Sequence, residues 1–285
     1  MILVTGKNGQ VGHAVGSLLA KRDRPFTAVD RHDLDLSKPE RIQTTLDRLQ
    51  PSVIINPAAY TNVELAEKNT DLAFTVNAKA PEQIAKWCAE NGAALVHFST
   101  DYVFDGRNNT PWKETDATNP INVYGASKLA GEQAILGHLP NAIILRTSWV
   151  YASQGSNFVL KIRDLARTRE TLTVVNDQFG TPNSATFLAE TTLHLLSHLD
   201  QLGGVYNLSA MGVTTWFDFA AYFLEEFKGH GETFAACDLR PVSSAQFPTI
   251  AARPPYSCLD TSKLATALSG HLFPGWKSCF QREFF

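Results

Sequence analysis

The sequence has few cysteines, no long apolar run and no excess of positive charge. Its four cysteines, Cys88, Cys237, Cys258 and Cys279, lie far apart and form no CxxC pair, so neither a structural zinc site nor a disulfide framework is expected. No apolar run reaches the ~18 residues that a membrane-spanning helix needs. The 25 Lys and Arg residues against 28 Asp and Glu residues leave a formal net charge of −3, which argues against a broad nucleic-acid-binding surface.

The N-terminal residues also lack a targeting pattern. The run MILVTG enters a predicted strand at once, without a basic lead or a cleavage site, and we therefore expect a soluble, cytoplasmic protein with no membrane partner. The 285 residues have the length of one large domain, or of a large domain with a smaller lobe. A chain of this size buries enough surface to fold without covalent cross-links.

Strand-like apolar runs alternate with amphipathic helical runs in the first half of the chain. Strands are predicted at Ile2–Thr5, Phe26–Val29, Val53–Ile55, Ala94–Phe98 and Ala142–Arg146, and helices at Val11–Lys21, Glu40–Leu49, Asp71–Asn91 and Tyr124–Leu136. Pro81 predicts a break or a new start within the third of these helices. Apolar strands separated by helices are typical of a parallel sheet covered on both faces. The predicted fold is α/β, a doubly wound, Rossmann-like parallel sheet.

After Trp149 the pattern is less regular and the tail is richer in proline. Predicted elements there are helices at Phe158–Arg169, Phe187–His198 and Thr215–Lys228 and strands at Thr171–Val175 and Val205–Leu208. We expect an NAD(P)-binding domain at 1–148, to which the chain returns near 171–203 and 235–251. A smaller C-terminal substrate-binding lobe is expected from 149–170, 204–234 and 252–285.

The first strand runs directly into three regularly spaced glycines. Gly6, Gly9 and Gly12 form a GxxGxxG pattern that opens the first helix. In a dinucleotide site such glycines allow a tight turn, close approach of the backbone to the pyrophosphate and close packing of helix on strand. The helix N-terminus then presents unpaired N–H groups to the phosphates. The pattern predicts a nicotinamide dinucleotide site, with an ordinary glycine-rich turn as the alternative.

The acid that would select the dinucleotide follows the second predicted strand. Asp30 lies 18 residues beyond Gly12, close to the ~20 expected for the acid that binds the adenosine ribose. A carboxylate there accepts hydrogen bonds from the 2′-OH and repels a 2′-phosphate, whereas the adjacent Arg31 is able to pair with that phosphate. NADH and NADPH both stay open. Asp35 and Leu36 lie where a loop reaches the adenine, although a solvated turn explains them equally well.

The strongest chemical pattern is Tyr124 followed four residues later by Lys128. Residues four apart share one face of a helix, so the ammonium is expected near the phenol. A nearby cation stabilises a phenolate and lowers a tyrosine pKa from its ordinary value of about 10, which suits general acid catalysis. Thr100, 24 residues earlier at a strand end, supplies a hydroxyl for the reacting oxygen. A structural tyrosine is the alternative.

These motifs together resemble the extended short-chain dehydrogenase/reductases, and longer runs narrow the resemblance. The runs are STDYVFDG, NVYGASKLAGE, LRTSWVY, NDQFGTPN and ARPPYSCLDTSKL. They resemble the dTDP-4-dehydrorhamnose reductase family over most of the chain, from Gly6 to about Lys263. The resemblance implies reduction of the 4-keto group of dTDP-6-deoxy-L-lyxo-4-hexulose to dTDP-L-rhamnose, with hydride from NADPH or NADH.

The resemblance also implies roles for individual residues. Tyr124 would donate the proton, Lys128 would bind the nicotinamide ribose and hold down the Tyr124 pKa, and Thr100 would tune the donor. Asp101 and Trp149 would contact the sugar, where an indole offers an apolar face and one N–H donor. Contacts with the dinucleotide are implied for Gly9, Gln10, Val11, Asp30, Asp35, Leu36, Ala59, Tyr60, Thr61 and Phe98.

Other conspicuous side chains have simpler interpretations. The eight histidines show no metal-ligand spacing, and His97, inside a predicted strand, is interpreted as a packed core residue. Arg253, in a proline-flanked loop, is a candidate for the substrate diphosphate, with a surface arginine as the alternative. An aromatic set is interpreted as core rather than as a stacking platform: Trp216, Phe217, Phe219, Tyr222 and Phe223.

Two rival functions remain open on this fold. The nearest rival is a sugar-nucleotide dehydratase or epimerase. A dehydratase is expected to carry Asp-Glu after the threonine, whereas here Asp101 is followed by Tyr102. The regulatory subunit of methionine adenosyltransferase also resembles this family and acts as a binding partner. The intact Tyr124 and Lys128 pair argues for catalysis.

The resemblance also bears on oligomeric state, because some reductases of this family are dimers joined by a magnesium ion that glutamates hold at the interface. The matching positions are Ala14, about Thr186, and the last residues, where Glu283 is the only acid nearby. Magnesium usually needs one or two carboxylates in near-octahedral geometry. One loose carboxylate is too few, so we expect no structural metal, and a monomer or a dimer formed by another surface.

Overall fold

The computed structural model describes residues 1–235, 238–270 and 272–285, so Cys237 lies outside the described residues. The strands are β1 (Ile2–Thr5), β2 (Phe26–Val29), β3 (Val53–Asn56), β4 (Ala94–Thr100), β5 (Ile143–Thr147), β6 (Val150–Tyr151), β7 (Thr171–Val175), β8 (Phe179–Gly180), β9 (Asn183–Ser184), β10 (Gly204–Asn207), β11 (Thr214–Thr215) and β12 (Asp238–Val242). The helices are α1 (Gln10–Lys21), α2 (Ile42–Leu49), α3 (Val63–Ala66), α4 (Thr70–Phe74), α5 (Ala80–Asn91), α6 (Val123–His138), α7 (Phe158–Ala166), α8 (Ala185–Leu195), α9 (Trp216–Gly229), α10 (Ser262–Ala267) and α11 (Trp276–Phe284).

Six of the described strands form the central sheet, in the order β10-β5-β4-β3-β1-β2. All neighbouring strands in it are parallel. The strand order reverses between β1 and β3, and ligands of doubly wound sheets bind beyond the carboxyl ends of the strands at such a point. The predicted α/β fold is confirmed.

The two faces of the sheet carry separate apolar cores, because successive side chains of a strand point to opposite faces. On one face Leu3 and Ile54 pack with the inner sides of α2, α5 and α6. On the other, Val4 belongs to a larger cluster that reaches Phe219 of α9 and Phe280 of α11. The C-terminal segments are therefore continuous with the sheet's own core.

The first turn of α6 is locked against the segment that follows β4. The Asn122 side chain accepts a hydrogen bond from the Gly125 N–H at 2.7 Å and begins the helix, as asparagine does at N-caps. A Cβ on Gly125 would lie 2.1 Å from the Tyr102 carbonyl oxygen, so this close packing needs glycine. It brings Tyr124 beside the carboxyl end of β4.

The division into a dinucleotide domain and a lobe stays a proposal, and the strands depart from the expected ranges in two places. β10 pairs with β5 in the central sheet, although 204–234 was expected in the lobe. β7 and β12 form a separate parallel pair, although their ranges were expected to return to the sheet. They pack instead beside α9, whose apolar side covers β7 and β12.

The helical stretch predicted over 71–91 is interrupted, and the break or new start predicted at Pro81 is confirmed. A π-helical segment, Thr75–Lys79, separates α4 from α5, and Pro81 lies in the first turn of α5, where its missing N–H has no helical partner to lose. The short pairs β6–β9 and β8–β11 and the tail helices α10 and α11 carried no clear sequence pattern. No helix in the described residues is long and apolar enough to span a membrane.

Candidate active site

One cleft of about 1280 Å³ lies beyond the carboxyl ends of the central strands. Every residue that the sequence predicted for cofactor or substrate lines this cleft, including Gly6, Asp30, Trp149 and Arg253. Chain segments far apart in sequence thus meet at one place. Their individual roles stay predictions.

The glycine-rich turn is shaped for a close-fitting ligand. Gly6 has φ +63°, a Cβ on Gly6 would lie 3.2 Å from Ala58, and a Cβ on Gly12 would lie 2.2 Å from the Gly6 carbonyl oxygen. Helix α1 begins at Gln10 without a side-chain cap, so its first N–H groups are available to an anion. This cradle fits the pyrophosphate of a dinucleotide.

Asp30 at the end of β2 is held by a small polar cluster. It accepts hydrogen bonds from the His32 N–H at 2.8 Å and from Asn8 at 3.2 Å, and pairs with Lys7 at 3.1 Å. These contacts lower the Asp30 pKa to about 2, and the hydrogen bond from the His32 N–H contributes most. Lys7 also pairs with Asp33 at 2.9 Å. A cation and a carboxylate therefore both lie where the adenosine ribose of the dinucleotide is expected.

Thr100 links the proton-donor candidate to a buried acid. Its Oγ1 donates to Asp101 Oδ1 at 3.0 Å, accepts from the Tyr102 N–H at 3.2 Å and hydrogen-bonds Tyr124. Burial raises the Asp101 pKa to about 7, against smaller opposing hydrogen bonds from Ser257 and Thr100. The Asp101 proton therefore titrates near neutrality.

The lowering of the Tyr124 pKa that was expected from Lys128 is not found. Burial raises the Tyr124 pKa to about 12, the Thr100 hydrogen bond opposes this, and the Asp101 charge adds to it. The Lys128 Nζ is engaged by β4 instead, donating to the Phe98 carbonyl at 2.6 Å and lying 3.1 Å from His97 Nε2. Burial lowers the Lys128 pKa to about 8.

His97 was interpreted as a packed core residue, and it is fully buried. It also contacts Lys128 on one ring nitrogen and Asn56 on the other, which the strand pattern did not predict. A second buried arrangement lies behind the site, where Arg146 Nη2 and Glu132 Oε2 form an ion pair at 2.6 Å. Both are about 4% exposed or less.

An indole stack lines part of the cleft. Trp149 and Trp216 lie with ring centroids 3.6 Å apart and an interplanar angle of 9°. A Cβ on Gly180 would lie 2.4 Å from the Trp149 ring, so only glycine leaves room for the ring at this position. Trp216 and Phe219 both line the cleft, although Phe219 is also buried in the core, as Phe223 is and as was predicted for both.

Arg253 reaches the cleft from the proline-flanked loop. It donates to Glu64 at 2.9 Å and is 28% exposed. Glu64 also accepts from the Ile250 N–H at 2.8 Å, which ties this loop to α3. The arginine therefore has an acid as its partner in the cleft wall.

The positions expected for a bridging magnesium surround a second, smaller cavity of about 190 Å³. Ala14, Thr186 and Glu283 all line it, and the Glu283 carboxylate accepts from the backbone N–H groups of Ser153 and Thr186 at 3.0 and 3.1 Å. Within the described residues no group of three or more His, Cys, Asp and Glu side chains is arranged to hold a metal ion.

A nicotinamide-dependent oxidoreductase of the extended short-chain dehydrogenase/reductase class has this combination of fold and cleft. A family model described as the RmlD substrate binding domain matches residues 1–282. The dTDP-4-dehydrorhamnose reductase of Salmonella typhimurium is 45% identical over 269 residues, covering 92% of this chain and 90% of that protein. The reductase of the same name from Escherichia coli K12 is 42% identical over 283 residues, covering 97% and 94%. The chain belongs to the dTDP-4-dehydrorhamnose reductase family.

Solved structures agree with this assignment. The dTDP-4-dehydrorhamnose reductase of Bacillus anthracis, in complex with NADP, superposes with a TM-score of 0.92 at 34% identity, covering 99% of this chain and 98% of that one. A UDP-glucose 4-epimerase from Brucella ovis, in complex with NAD, has a TM-score of 0.80 at 18% identity, covering 99% and 96%. The epimerase shares the fold alone.

Proposed function

We propose that the protein reduces the 4-keto group of dTDP-4-dehydro-6-deoxy-L-mannose to give dTDP-L-rhamnose, the last step of dTDP-rhamnose biosynthesis, with NADPH or NADH as reductant. The observation that carries the proposal is the meeting of Thr100, Tyr124 and Lys128 with the glycine-rich turn in one cleft. The names of the family members point to the same substrate.

The cleft residues divide between binding and proton transfer. A bound reduced nicotinamide supplies the hydride. Gly6, Gly9 and Gly12 leave room for the pyrophosphate, and Lys128 binds the nicotinamide ribose. Tyr124 donates its proton to the C4 oxygen, and Thr100 hydrogen-bonds the phenol and so orients that proton.

The sugar nucleotide occupies the opposite end of the cleft. Asp101, next to Thr100, binds a sugar hydroxyl. Trp149 lines the sugar end of the cleft, and its stack on Trp216 holds the indole in place. Arg253 exchanges Glu64 for the substrate diphosphate, which a guanidinium can bind through two parallel hydrogen bonds.

Oxidation of NADPH or NADH in the presence of the 4-keto sugar nucleotide, followed at 340 nm with product analysis, tests the proposal. We expect turnover and dTDP-L-rhamnose. Elimination or epimerisation without net cofactor oxidation would indicate the dehydratase or epimerase alternative. Cofactor binding without any turnover would indicate a binding subunit. The cytoplasmic location and the metal-independent monomer or dimer stay predictions.

A further inference from the structure

A buried chain of hydrogen bonds connects the glycine-rich turn to the catalytic lysine. Thr5 Oγ1 donates to Asn56 Oδ1 at 2.6 Å, and Asn56 Nδ2 lies 3.0 Å from His97 Nδ1. His97 Nε2 in turn lies 3.1 Å from Lys128 Nζ. The side chains come from β1, β3, β4 and α6, and none is more than 2% exposed.

The direction of donation along this chain depends on the charge of the lysine. The short Thr5–Asn56 contact places the amide oxygen toward Thr5, so the amide N–H₂ faces His97 Nδ1. That nitrogen then accepts, and the proton of the neutral ring lies on Nε2. An Nε2–H facing Lys128 suits an uncharged amine, which has a lone pair, but not an ammonium, which has none.

An ammonium on Lys128 requires the hydrogen bonds of this chain to run in the opposite direction. Moving the ring proton to Nδ1 and turning the Asn56 amide leaves Nε2 free to accept from Lys128, and the Asn56 oxygen then accepts from Nδ1–H. The same buried atoms therefore satisfy Nζ in either charge state. Burial and the Lys128 charge hold the His97 pKa well below its ordinary value, so the ring stays neutral and changes only its tautomer.

We propose that His97 is a positioning residue that keeps Lys128 Nζ hydrogen-bonded in both its charged and its uncharged states. The inference rests on the proposed function in taking Lys128 as the ribose-binding lysine. With the Phe98 carbonyl as the second partner of Nζ, two contacts from β4 fix the ammonium and direct its remaining N–H toward the cleft, which Lys128 lines.

The charged groups around the lysine do not replace this contact. Glu132, one turn further along α6, raises the Lys128 pKa through its charge, but its carboxylate is bound by Arg146 and by Ser99. Asp101 acts on Tyr124. Within the described residues, the hydrogen bonds of Nζ therefore go to His97 and the Phe98 carbonyl.

Three variants separate hydrogen bonding from packing. His97→Leu fills the space without a polar atom. His97→Gln places an amide near the Nε2 position, and by rotating it can either accept from an ammonium or donate to an amine. His97→Asn reaches Asn56 but not Lys128, and serves as the second test if the leucine variant fails to fold. Thr192→Val, which removes a buried hydroxyl in α8 that donates to the Leu188 carbonyl, controls for lost stability alone.

The measurement is the affinity for NADPH from pH 6 to 10, with kcat and KM where the sugar nucleotide is turned over. For His97→Leu and His97→Asn we expect affinity about tenfold lower or worse, the scale of a lost hydrogen bond to a charged group. The basic limb of the pH profile, where NADPH affinity falls as Lys128 loses its proton, should move to lower pH, because the buried ammonium loses a hydrogen-bond acceptor. His97→Gln and Thr192→Val should keep the parental limb.

Two results overturn the inference. One is a folded His97→Leu or His97→Asn variant with the parental pH limb and affinity within threefold. The other is equal impairment of the leucine and glutamine variants with no change in the limb, which would make His97 a packing residue. Failure of the proposed function is distinct, since it appears as NADPH binding by the parent without turnover of the sugar nucleotide.

Discussion

Removal of the Tyr124 hydroxyl is the most direct test of the proton-donor assignment. Tyr124→Phe keeps the ring, which packs edge-on against Tyr102 with centroids 5.8 Å apart. Thr100 keeps its two other hydrogen bonds, from the Tyr102 N–H and to Asp101, so no buried polar group loses its last partner. We therefore expect the free energy of unfolding to change by no more than about 1 kcal/mol.

The effect on catalysis should be much larger than the effect on stability. Without the phenol, the developing C4 alkoxide receives no proton from the protein, and general acid catalysis is worth about 10²- to 10⁴-fold. We expect turnover to fall at least ~10²-fold, while NADPH affinity stays nearly unchanged because Lys128 and the glycine-rich turn are untouched. Steady-state kinetics and a fluorescence titration of NADPH measure the two quantities.

A matched control comes from the neighbouring ring. Tyr102→Phe removes a hydroxyl from the edge-on partner of Tyr124, which lines the same cleft, without removing the proposed donor. It should keep turnover within about threefold of the parent, since no transferred proton is lost. A Tyr124→Phe enzyme within threefold of the parent, or equal losses in the two variants, would refute the reasoning.

Three further predictions concern the cofactor, the buried acid and the metal. Asp30→Ala should weaken NADH binding more than NADPH binding, because it removes the ribose acceptor and one of the two acids paired with Lys7; equal losses in titrations would mean that Asp30 does not read the 2′ position. The Asp101 pKa of about 7 lies above the unfolded value, so the folded protein holds an extra proton between about pH 4 and 7 and loses stability as pH rises through that range. Denaturant titrations should therefore show Asp101→Asn gaining stability relative to the parent from pH 4 to 7 and no further above 7; a flat difference contradicts this. Light scattering and activity should be the same with and without EDTA, and a dimer that separates on chelation and re-forms with magnesium would disprove metal independence.

Local spacing was enough to predict the elements and residues whose partners are near in sequence. Gly6, Gly9 and Gly12 lie within two helical turns, and Tyr124 and Lys128 lie one turn apart, so strand and helix geometry alone brings each set together. The apolar runs of β1 to β5 predicted a parallel sheet for the same reason, because burial on both faces leaves a continuous apolar pattern.

Contacts between distant segments depended on strand order and packing. His97 looked like core because burial and an apolar pattern carry no information about which polar atom a ring nitrogen faces. Its contacts with Asn56 and Lys128 exist because β3 and β4 are neighbours and α6 packs against β4. The pairing of Arg253 with Glu64 spans 189 positions, and the stack of Trp149 on Trp216 depends on how α9 folds back.

The difference between local spacing and contacts made by distant segments also explains why the Tyr124 pKa departs from the expectation. The sequence by itself determined that Tyr124 and Lys128 share a helical face, and from that the lysine charge was expected to act on the phenol. Only the tertiary structure decided where Nζ goes, because β4 offers a carbonyl and a ring nitrogen within 3.1 Å. A side chain with four rotatable bonds follows its strongest buried partners, and those are set by the packing of distant strands rather than by position along one helix.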